Sequence, residues 1–349
     1  MNPQEQRTGR NRAGKEFYMD RPILEIKNLK TYFYVDGKEL RAVDGLSYSV
    51  NRGECVAVVG ESASGKSVSA LSVLRLVADP PGRIVGGEIL LDGVDLLKLS
   101  EREIRKIRGN RIAMVFQEPG TALNPVLTIG RQLTEGLELH KGMKHKEALQ
   151  EAVKLLGMVG IPNPEQRVKD YPYQFSGGMQ QRIMIAMAMS CNPDVLIADE
   201  PTTALDVTVQ AQLLEVLNNL RREYGTALII ITHNLGVVAR YAEKVQVVYA
   251  GRLVEGGTAE DIFCRTCHPY TRGLIRAVPR LDMPQDAELV GIEGTPPNLA
   301  KLSPHLCAFS ERCKFATEQC KAGRPELEEV APGHVAACFH AREFLEEGS

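Results

Sequence analysis

Short apolar runs alternate with amphipathic stretches along most of the chain. The apolar runs predict strands at residues 23–29, 46–50, 55–59, 87–93, 111–117, 195–198, 227–231 and 245–249. Apolar residues at helical spacing predict helices at residues 67–77, 128–159, 177–189, 207–222 and 235–242. A capping box from Ser100 to Glu103 predicts one more short helix. Strands that alternate with helices at this spacing predict an α/β fold around a mainly parallel sheet.

Changes in sequence character predict three domains. Residues 1–20 are basic and poor in apolar residues, so we expect a mobile tail. Residues 21–257 contain the α/β core, which a helical subdomain at about residues 119–189 interrupts. Residues 258–349 begin with short helices and become irregular and proline-rich after residue 281, and this last part holds four of the eight cysteines. We interpret them as a small cysteine-rich extension.

A glycine-rich loop between the strand at 55–59 and the next helix matches the pattern G-x-x-x-x-G-K-[ST]. Its glycines allow successive backbone N–H groups to point into one concavity, and the following helix adds the positive end of its dipole. Lys66 can then reach the terminal phosphates of a nucleotide, and the Ser67 hydroxyl can ligate Mg²⁺. The predicted phosphate loop consists of Gly60, Glu61, Ser62, Ala63, Ser64, Gly65, Lys66 and Ser67.

Two carboxylates, Asp199 and Glu200, stand at the end of the apolar strand near residues 195–198. Because an unpaired buried charge is costly, two acids at the end of a buried strand favour a functional site, and a solvated acidic turn is the alternative. Beside a phosphate loop, Asp199 is placed to hold Mg²⁺ through water. Glu200 is then available as the general base that polarises the attacking water.

Polar residues also follow two other strands and open one helix. Gln117 could touch Mg²⁺ or the attacking water, and His233 could hydrogen-bond a γ-phosphate. Either residue alone is more often structural. A Ser-Gly-Gly sequence at residues 176–178 offers a hydroxyl and bare N–H groups to an anion. A second phosphate-binding helix end is explained if it serves a nucleotide held mainly by another subunit.

Composition and charge narrow the range of partners. The formal net charge of −2 gives no field that favours nucleic acid or an anionic membrane. No stretch approaches the ~18 uninterrupted apolar residues of a membrane-spanning helix. Residues 1–20 lack the apolar region of a secretory signal, so we expect a cytosolic chain.

The cysteines near the C-terminus are spaced C-x5-C-x6-C-x17-C. They are Cys307, Cys313, Cys320 and Cys338. Four thiolates can hold an iron–sulfur cluster or a zinc ion; the tight C-x2-C pairs of structural zinc are missing, which favours iron–sulfur, and four free thiols are the remaining alternative. Cys264 and Cys267 do not open a β-α-β unit, so we interpret that pair as incidental. Cys55 and Cys191 lie beside apolar runs and are predicted to be buried thiols.

Taken in order, these motifs resemble the ATP-binding subunits of ABC transporters over about residues 22–255. The resemblance rests on residues 60–67, Gln117, residues 176–180, residues 196–200, residues 204–206 and His233. It implies an ABC-type P-loop ATPase that pairs head to tail and holds two ATP molecules. Each ATP would lie between one phosphate loop and the partner's copy of Ser176, Gly177 and Gly178. It also implies that Asp206 communicates across the dimer and that an aromatic residue near the first strands stacks on adenine; we choose Phe33, with Tyr34 as the alternative.

Three segments narrow the resemblance to the oligopeptide/dipeptide and nickel importer ATPases, over about residues 22–340: residues 118–125, 175–179 and 268–274. That resemblance implies peptide import powered by ATP hydrolysis, at the cytoplasmic face of a membrane. The implied partners are a second homologous ATPase subunit, two membrane permeases contacted near residues 119–130, and an external solute-binding protein. It also associates the four cysteines with a [4Fe–4S] cluster.

Two other classes of protein are alternatives to the interpretation as a transport ATPase. A soluble ABC-type ATPase acting on ribosomes or DNA usually carries two ATPase halves or a long coiled-coil insert, and this sequence has neither. A catalytically silent regulatory subunit is disfavoured because Glu200 and His233 are both present. The sequence does not identify the solute.

Overall fold

Two β-sheets organise residues 21–203, 205–279 and 291–347, the part of the chain that the computed structural model describes. The strands are β1 Leu24–Val35, β2 Lys38–Val50, β3 Cys55–Val59, β4 Gly82–Leu91, β5 Val94–Asp95, β6 Ile112–Val115, β7 Val195–Asp199, β8 Ala227–Thr232, β9 Lys244–Tyr249, β10 Arg252–Thr258, β11 Glu328–Ala331 and β12 His334–Ala336. The helices are α1 Lys66–Val73, α2 Glu101–Ile107, α3 Pro119–Ala122, α4 Ile129–Lys141, α5 His145–Met158, α6 Pro164–Arg167, α7 Gly177–Met189, α8 Val207–Tyr224, α9 Leu235–Tyr241, α10 Ala259–Cys264, α11 Pro269–Arg276, α12 Glu318–Ala322 and α13 Ala341–Glu347. The predicted mobile tail at residues 1–20 lies outside the described residues.

The larger sheet is parallel in its centre, as the sequence predicts. In the described residues its order is β11-β12-β10-β9-β3-β8-β7-β6, and the five strands from β9 to β6 run parallel. All residues of β3, β7 and β8 are buried, because helices and the second sheet cover both faces. The carboxyl ends of β3, β8, β7 and β6 therefore lie side by side along one edge.

The smaller sheet is antiparallel and has the order β2-β1-β4-β5 within the described residues. Its strand β2 begins well before the predicted strand at 46–50. A two-residue turn at Asp36 and Gly37, both with positive φ, joins β1 to β2 and extends the pairing along both strands. The apolar faces of this sheet, β3 and α1 share one core that includes Leu24, Leu46 and Val58.

Helices α3 to α7 form the segment inserted between β6 and β7. The prediction of helix across residues 128–159 is correct except for a break at Gly142, whose φ of 65° ends α4. Helix α7 covers the predicted residues 177–189. Leu133, Leu156 and Ile183 come from three of these helices and share one buried core. No helix in the described ranges is long and apolar enough to cross a membrane.

The C-terminal region is joined to the larger sheet. Strand β12 pairs antiparallel with β10, and Glu255 lies opposite Ala336. The Glu255 carboxylate is fully buried and accepts hydrogen bonds from the Cys267 backbone N–H at 2.7 Å and from His334 Nε2 at 2.9 Å. The prediction of irregular structure after residue 281 is wrong for β11, β12, α12 and α13. Strands this short are stabilised by pairing with a distant strand, which sequence periodicity does not reveal.

Candidate nucleotide-binding site

The phosphate loop lies between β3 and α1, pressed against two other parts of the backbone. Gly65 has a φ of 99°, and a Cβ at this position would collide with the Ala42 carbonyl oxygen of β2. A Cβ at Gly60 would collide with the carbonyl oxygen of Val248. Both positions therefore require glycine, as the motif predicts.

Lys66 lies inside the loop with its side chain buried. Its ammonium donates to the carbonyl oxygens of Gly60 and Glu61, each at 2.8 Å. Burial lowers the pKa of Lys66, because desolvation penalises the charged form. A phosphate in the concavity would give this ammonium an anionic partner.

Ser67 and Asp199 provide the oxygen pair expected for Mg²⁺. The Ser67 hydroxyl donates to Asp199 Oδ1 at 3.0 Å. Burial raises the pKa of Asp199, in opposition to the hydrogen bond from Ser67. A hydroxyl and a carboxylate on adjacent elements fit a hard cation such as Mg²⁺, which prefers oxygen ligands.

Glu200 is the centre of a hydrogen-bonded group at the ends of three parallel strands. Its Oε2 accepts from Gln117 Nε2 at 3.1 Å and from the Thr203 hydroxyl at 2.9 Å, and its Oε1 lies 3.3 Å from His233 Nδ1. The Glu200 N–H donates to the carbonyl of Ile231, and its φ of 44° is unusual for a residue with a side chain. The structure thus brings the three predicted catalytic residues together. Thr203 was missed, although a hydroxyl three residues after a strand-end acid is a local signal.

Ser176, Gly177 and Gly178 stand at the start of helix α7. The Ser176 hydroxyl caps the helix by accepting from the Met179 N–H at 3.4 Å, and the space around the Gly177 Cα is open. Asp206 caps α8 in the same way, with Oδ1 accepting from the Val209 N–H at 2.9 Å. In the described residues, the hydrogen bonds of these side chains remain within their own helix starts.

Phe33 lies near the end of β1 and is half-buried. It pairs with Leu40, two residues from Ala42, the backbone neighbour of the phosphate loop. Its ring packs over Gly82 of β4, and the neighbouring Tyr34 is 50% exposed. The ring therefore takes part in the packing of the smaller sheet, beside the strand whose Ala42 contacts the phosphate loop.

A contact from the C-terminal region reaches the phosphate loop. The Glu61 N–H donates to the Tyr270 hydroxyl at 2.8 Å. The Glu61 carboxylate forms a bidentate ion pair with Arg312, with N–O distances of 2.7 and 3.0 Å. Sequence analysis did not predict this contact, because no local pattern relates residues so far apart.

The four C-terminal cysteines line one cavity. Cys307, Cys313, Cys320 and Cys338 share it with aromatic rings that include Phe309 and Phe344. No three of the four sulfurs lie within 4.8 Å of one another. In a tetrahedral zinc site with Zn–S bonds of ~2.3 Å, all four would be about 3.8 Å apart. The structure therefore gathers the four sulfurs at one cavity without closing them into such a tetrahedron.

Backbone N–H groups face these sulfurs. Burial raises the pKa of Cys307, in opposition to hydrogen bonding from the backbone of Phe309, and the backbone of His340 acts in the same way on Cys338. Burial raises the pKa of Cys338 to about 12, and the neighbouring sulfurs add to the effect. Thiolates here would need a cationic group between them. Among the remaining cysteines, Cys55 and Cys191 are buried as predicted.

Comparisons with known proteins identify the family. Residues 43–203 match the family described as ABC transporter, and residues 254–320 match the C-terminal region of oligopeptide/dipeptide transporters. The oligopeptide transport ATP-binding protein AppD of Bacillus subtilis is 49% identical over 327 residues, which cover 94% of this chain and 98% of AppD. This chain belongs to the ATP-binding proteins of ABC transporters. It is an ATPase of the ABC type.

Other ABC ATP-binding proteins show the same relationship. The oligopeptide transport ATP-binding protein OppD of Salmonella typhimurium is 49% identical over 323 residues, covering 93% of this chain and 95% of OppD. Among solved structures, the dimeric cassette MJ0796, a bacterial ABC transporter cassette, matches with a TM-score of 0.61 and 28% identity, covering 68% of this chain and 98% of the cassette. The cbiO1 subunit of Clostridium perfringens matches with a TM-score of 0.59 and 26% identity, covering 70% and 91%. The predicted ABC-type P-loop core is therefore confirmed.

Proposed function

We propose that this chain is one of two nucleotide-binding subunits of a membrane ABC importer, and that its ATP hydrolysis powers the uptake of dipeptides or oligopeptides. The observation that carries the proposal is the full-length relationship to oligopeptide transport ATP-binding proteins, which includes the C-terminal region. The partners are a homologous second ATPase subunit, two permeases and an external solute-binding protein. The chain then lies at the cytoplasmic face of the membrane, and no nucleic acid takes part.

We assign the residue roles from the geometry of the site. ATP binds through residues 60–67, with its adenine against Phe33. Mg²⁺ is held by Ser67, Asp199 and Gln117. Glu200 is the general base, and His233 hydrogen-bonds the γ-phosphate. The close grouping of Gln117 and His233 around Glu200 supports these roles.

The second half of each ATP site comes from the partner subunit. Ser176 and Gly177 present a helix start that is open at Gly177 and, among the described residues, has only local hydrogen bonds, which suits a phosphate carried by another chain, and Gly178 completes the predicted motif. Asp206 likewise caps the start of α8 through a local hydrogen bond, and we assign it to communication across the dimer. The cassette MJ0796 has been solved as a dimer, and in one structure is bound to ADP and Pi, which supports the pairing.

We propose that residues 21–257 are the ATPase domain and that its helical subdomain, about residues 119–189, contacts a permease. An apolar groove lies beside the end of β6 and is lined by Phe116, Ala122 and Met184 among others. Ala122 is exposed at its edge. An amphipathic permease helix in this groove would transmit the motion that accompanies hydrolysis.

The experiment is co-purification from native membranes in mild detergent, with mass spectrometry of the recovered proteins. We expect two permeases and a second ATPase subunit with the wild-type chain, and their loss with Ala122→Glu. The matched control is Leu139→Glu, at a side chain that is 73% exposed and outside the groove. Recovery of ribosomal or DNA-bound proteins without permeases contradicts the transport function. Undiminished recovery with Ala122→Glu contradicts only the docking site.

We propose that residues 258–349 form a C-terminal domain that holds a [4Fe–4S] cluster through Cys307, Cys313, Cys320 and Cys338. The missing C-x2-C pairs typical of structural zinc support this choice over zinc, and the gathering of the four cysteines at one cavity supports a shared ligand. A bound cluster would supply the cationic centre that four neighbouring thiolates need. The cysteines of this chain orient it, and Phe309 and Phe344 exclude water from it.

Iron, zinc and acid-labile sulfide measured after anaerobic purification test this part. We expect about four iron and four sulfide per chain. Cys320→Ser should lose them, whereas Cys264→Ser, at an exposed cysteine outside the cavity, should retain them. One zinc per chain and no iron would establish the alternative.

A further inference from the structure

One arginine of the cysteine-rich region is buried against the phosphate loop. Arg312 donates from Nη1 to Glu61 Oε2 at 2.7 Å and from Nη2 to Glu61 Oε1 at 3.0 Å. The Arg312 side chain is only 6% exposed. Its guanidinium also donates to the Tyr249 hydroxyl at 3.3 Å and lies against the rings of Tyr249 and Phe309. A planar, bidentate and desolvated contact of this kind fixes the position of both partners.

Glu61 links this contact to the phosphate-binding lysine. Its side chain is held by Arg312, its N–H by the Tyr270 hydroxyl, and its carbonyl oxygen accepts from Lys66 Nζ at 2.8 Å. The carbonyl and the carboxylate belong to one residue of a tight loop. A shift of Arg312 would therefore change the position of Lys66 and of the loop N–H groups that face a phosphate.

Arg312 is in turn placed by the cysteine site. It immediately precedes Cys313, its N–H donates to the Phe309 carbonyl at 3.0 Å, and its Nε donates to the Glu293 carbonyl at 3.0 Å. Phe309 lines the same cavity as the four cysteines. Lys314, the other neighbour of Cys313, is exposed and pairs with the Glu293 carboxylate at the surface, whereas Arg312 is buried and contacts Glu293 at the backbone carbonyl.

We propose that Arg312 is a positioning residue of the phosphate loop, and that occupancy of the four-cysteine site sets the nucleotide affinity of the loop through the Arg312–Glu61 pair. The second half of this statement rests on the proposed cluster, and the first half does not. A salt bridge that only anchors the C-terminal region would leave nucleotide affinity unchanged when it is removed.

The first arm of the test measures the Kd of a fluorescent ATP analogue with Mg²⁺, together with the iron content of each sample. For Arg312→Ala we expect binding about tenfold weaker, a value within the coupling range of network residues in contact. Iron content should stay at the wild-type value. Glu61→Ala should have a similar effect, and the double variant should be no weaker than either single variant. Lys314→Ala is the matched control and should bind like wild type.

The second arm compares Cys320→Ser with the double variant Cys320→Ser/Arg312→Ala. We expect the loss of iron to weaken binding about tenfold when Arg312 is present and to add nothing when it is absent. Additive losses would overturn the coupling, and wild-type affinity in Arg312→Ala would overturn the positioning role. If Arg312→Ala does not fold, Glu61→Ala tests the pair from the loop side, and wild-type affinity there has the same meaning. If the wild-type chain contains no iron, both the proposed cluster and its proposed coupling to nucleotide affinity are wrong. The first arm still tests the role of Arg312.

Discussion

Substitution of Glu200 by glutamine should separate ATP binding from ATP hydrolysis. In the wild-type chain Glu200 Oε2 accepts from the Gln117 amide and the Thr203 hydroxyl. A glutamine oxygen in the same place can accept both hydrogen bonds. Its amide then faces His233 Nδ1, which accepts a hydrogen bond in the appropriate neutral form of the ring. The geometry of the site should therefore survive.

The chemistry should not survive this change. A positioned general base contributes about 10²–10⁴-fold to a reaction, which corresponds to about 2.7–5.5 kcal/mol of the barrier. We therefore expect the kcat of Glu200→Gln to fall at least ~100-fold. The Kd of ATP should stay within about threefold of wild type, a change of less than ~0.7 kcal/mol.

Phosphate release under saturating MgATP measures kcat, and equilibrium titration with a fluorescent ATP analogue measures Kd. Glu215→Gln, at an exposed carboxylate on α8, is the matched control and should retain both wild-type values. A kcat within about tenfold of wild type would refute the role of Glu200 as the base. A large rise in Kd would instead refute our reasoning that the amide keeps the site intact.

Three further changes test other parts of the structure. Lys66→Ala should weaken ATP binding at least ~10-fold, as seen by titration, because the phosphates lose their buried ammonium; unchanged Kd would contradict this. Gly65→Ala should also abolish tight ATP binding, since a Cβ there collides with Ala42, and a wild-type Kd would show that the loop can relax. Asp44→Asn should cost about 3 kcal/mol of unfolding free energy in urea at pH 7, because the buried Arg252 guanidinium loses the carboxylate charge that it contacts at 2.6 Å. Burial alone would raise the pKa of Asp44, but the hydrogen bonds from Arg252 and from Tyr32 outweigh it and lower the pKa. The stabilisation is therefore complete above the unfolded value of about 4 and is lost as the pH falls through the lower folded value, so the penalty for Asp44→Asn should shrink in acid.

The sequence predicts the features that depend on local pattern. The capping box at Ser100 and Glu103 is present, and helix α7 has its predicted bounds. Strand-end polar residues were enough to place Gln117, Glu200 and His233 in one group, because the carboxyl ends of parallel strands meet at one edge.

Features that depend on distant pairing could not be predicted in this way. Strands β11 and β12 have few residues and no clear periodicity, and they form because β10 offers an edge. The Arg312–Glu61 pair joins a cysteine-rich loop to a glycine-rich one, and neither sequence contains a sign of the other. The bounds of β2 depend on a hairpin turn whose φ values appear only in the structure.

The pairing of β10 with β12 makes the ATPase core dependent on the end of its own chain. A protein shortened after Thr258 would expose the unpaired N–H and C=O groups of β10, an edge that invites aggregation. It would also leave the Glu255 carboxylate without His334 and the Cys267 N–H. We therefore expect that a shortened version of this ATPase needs a new cover for the β10 edge and new partners for the Glu255 carboxylate.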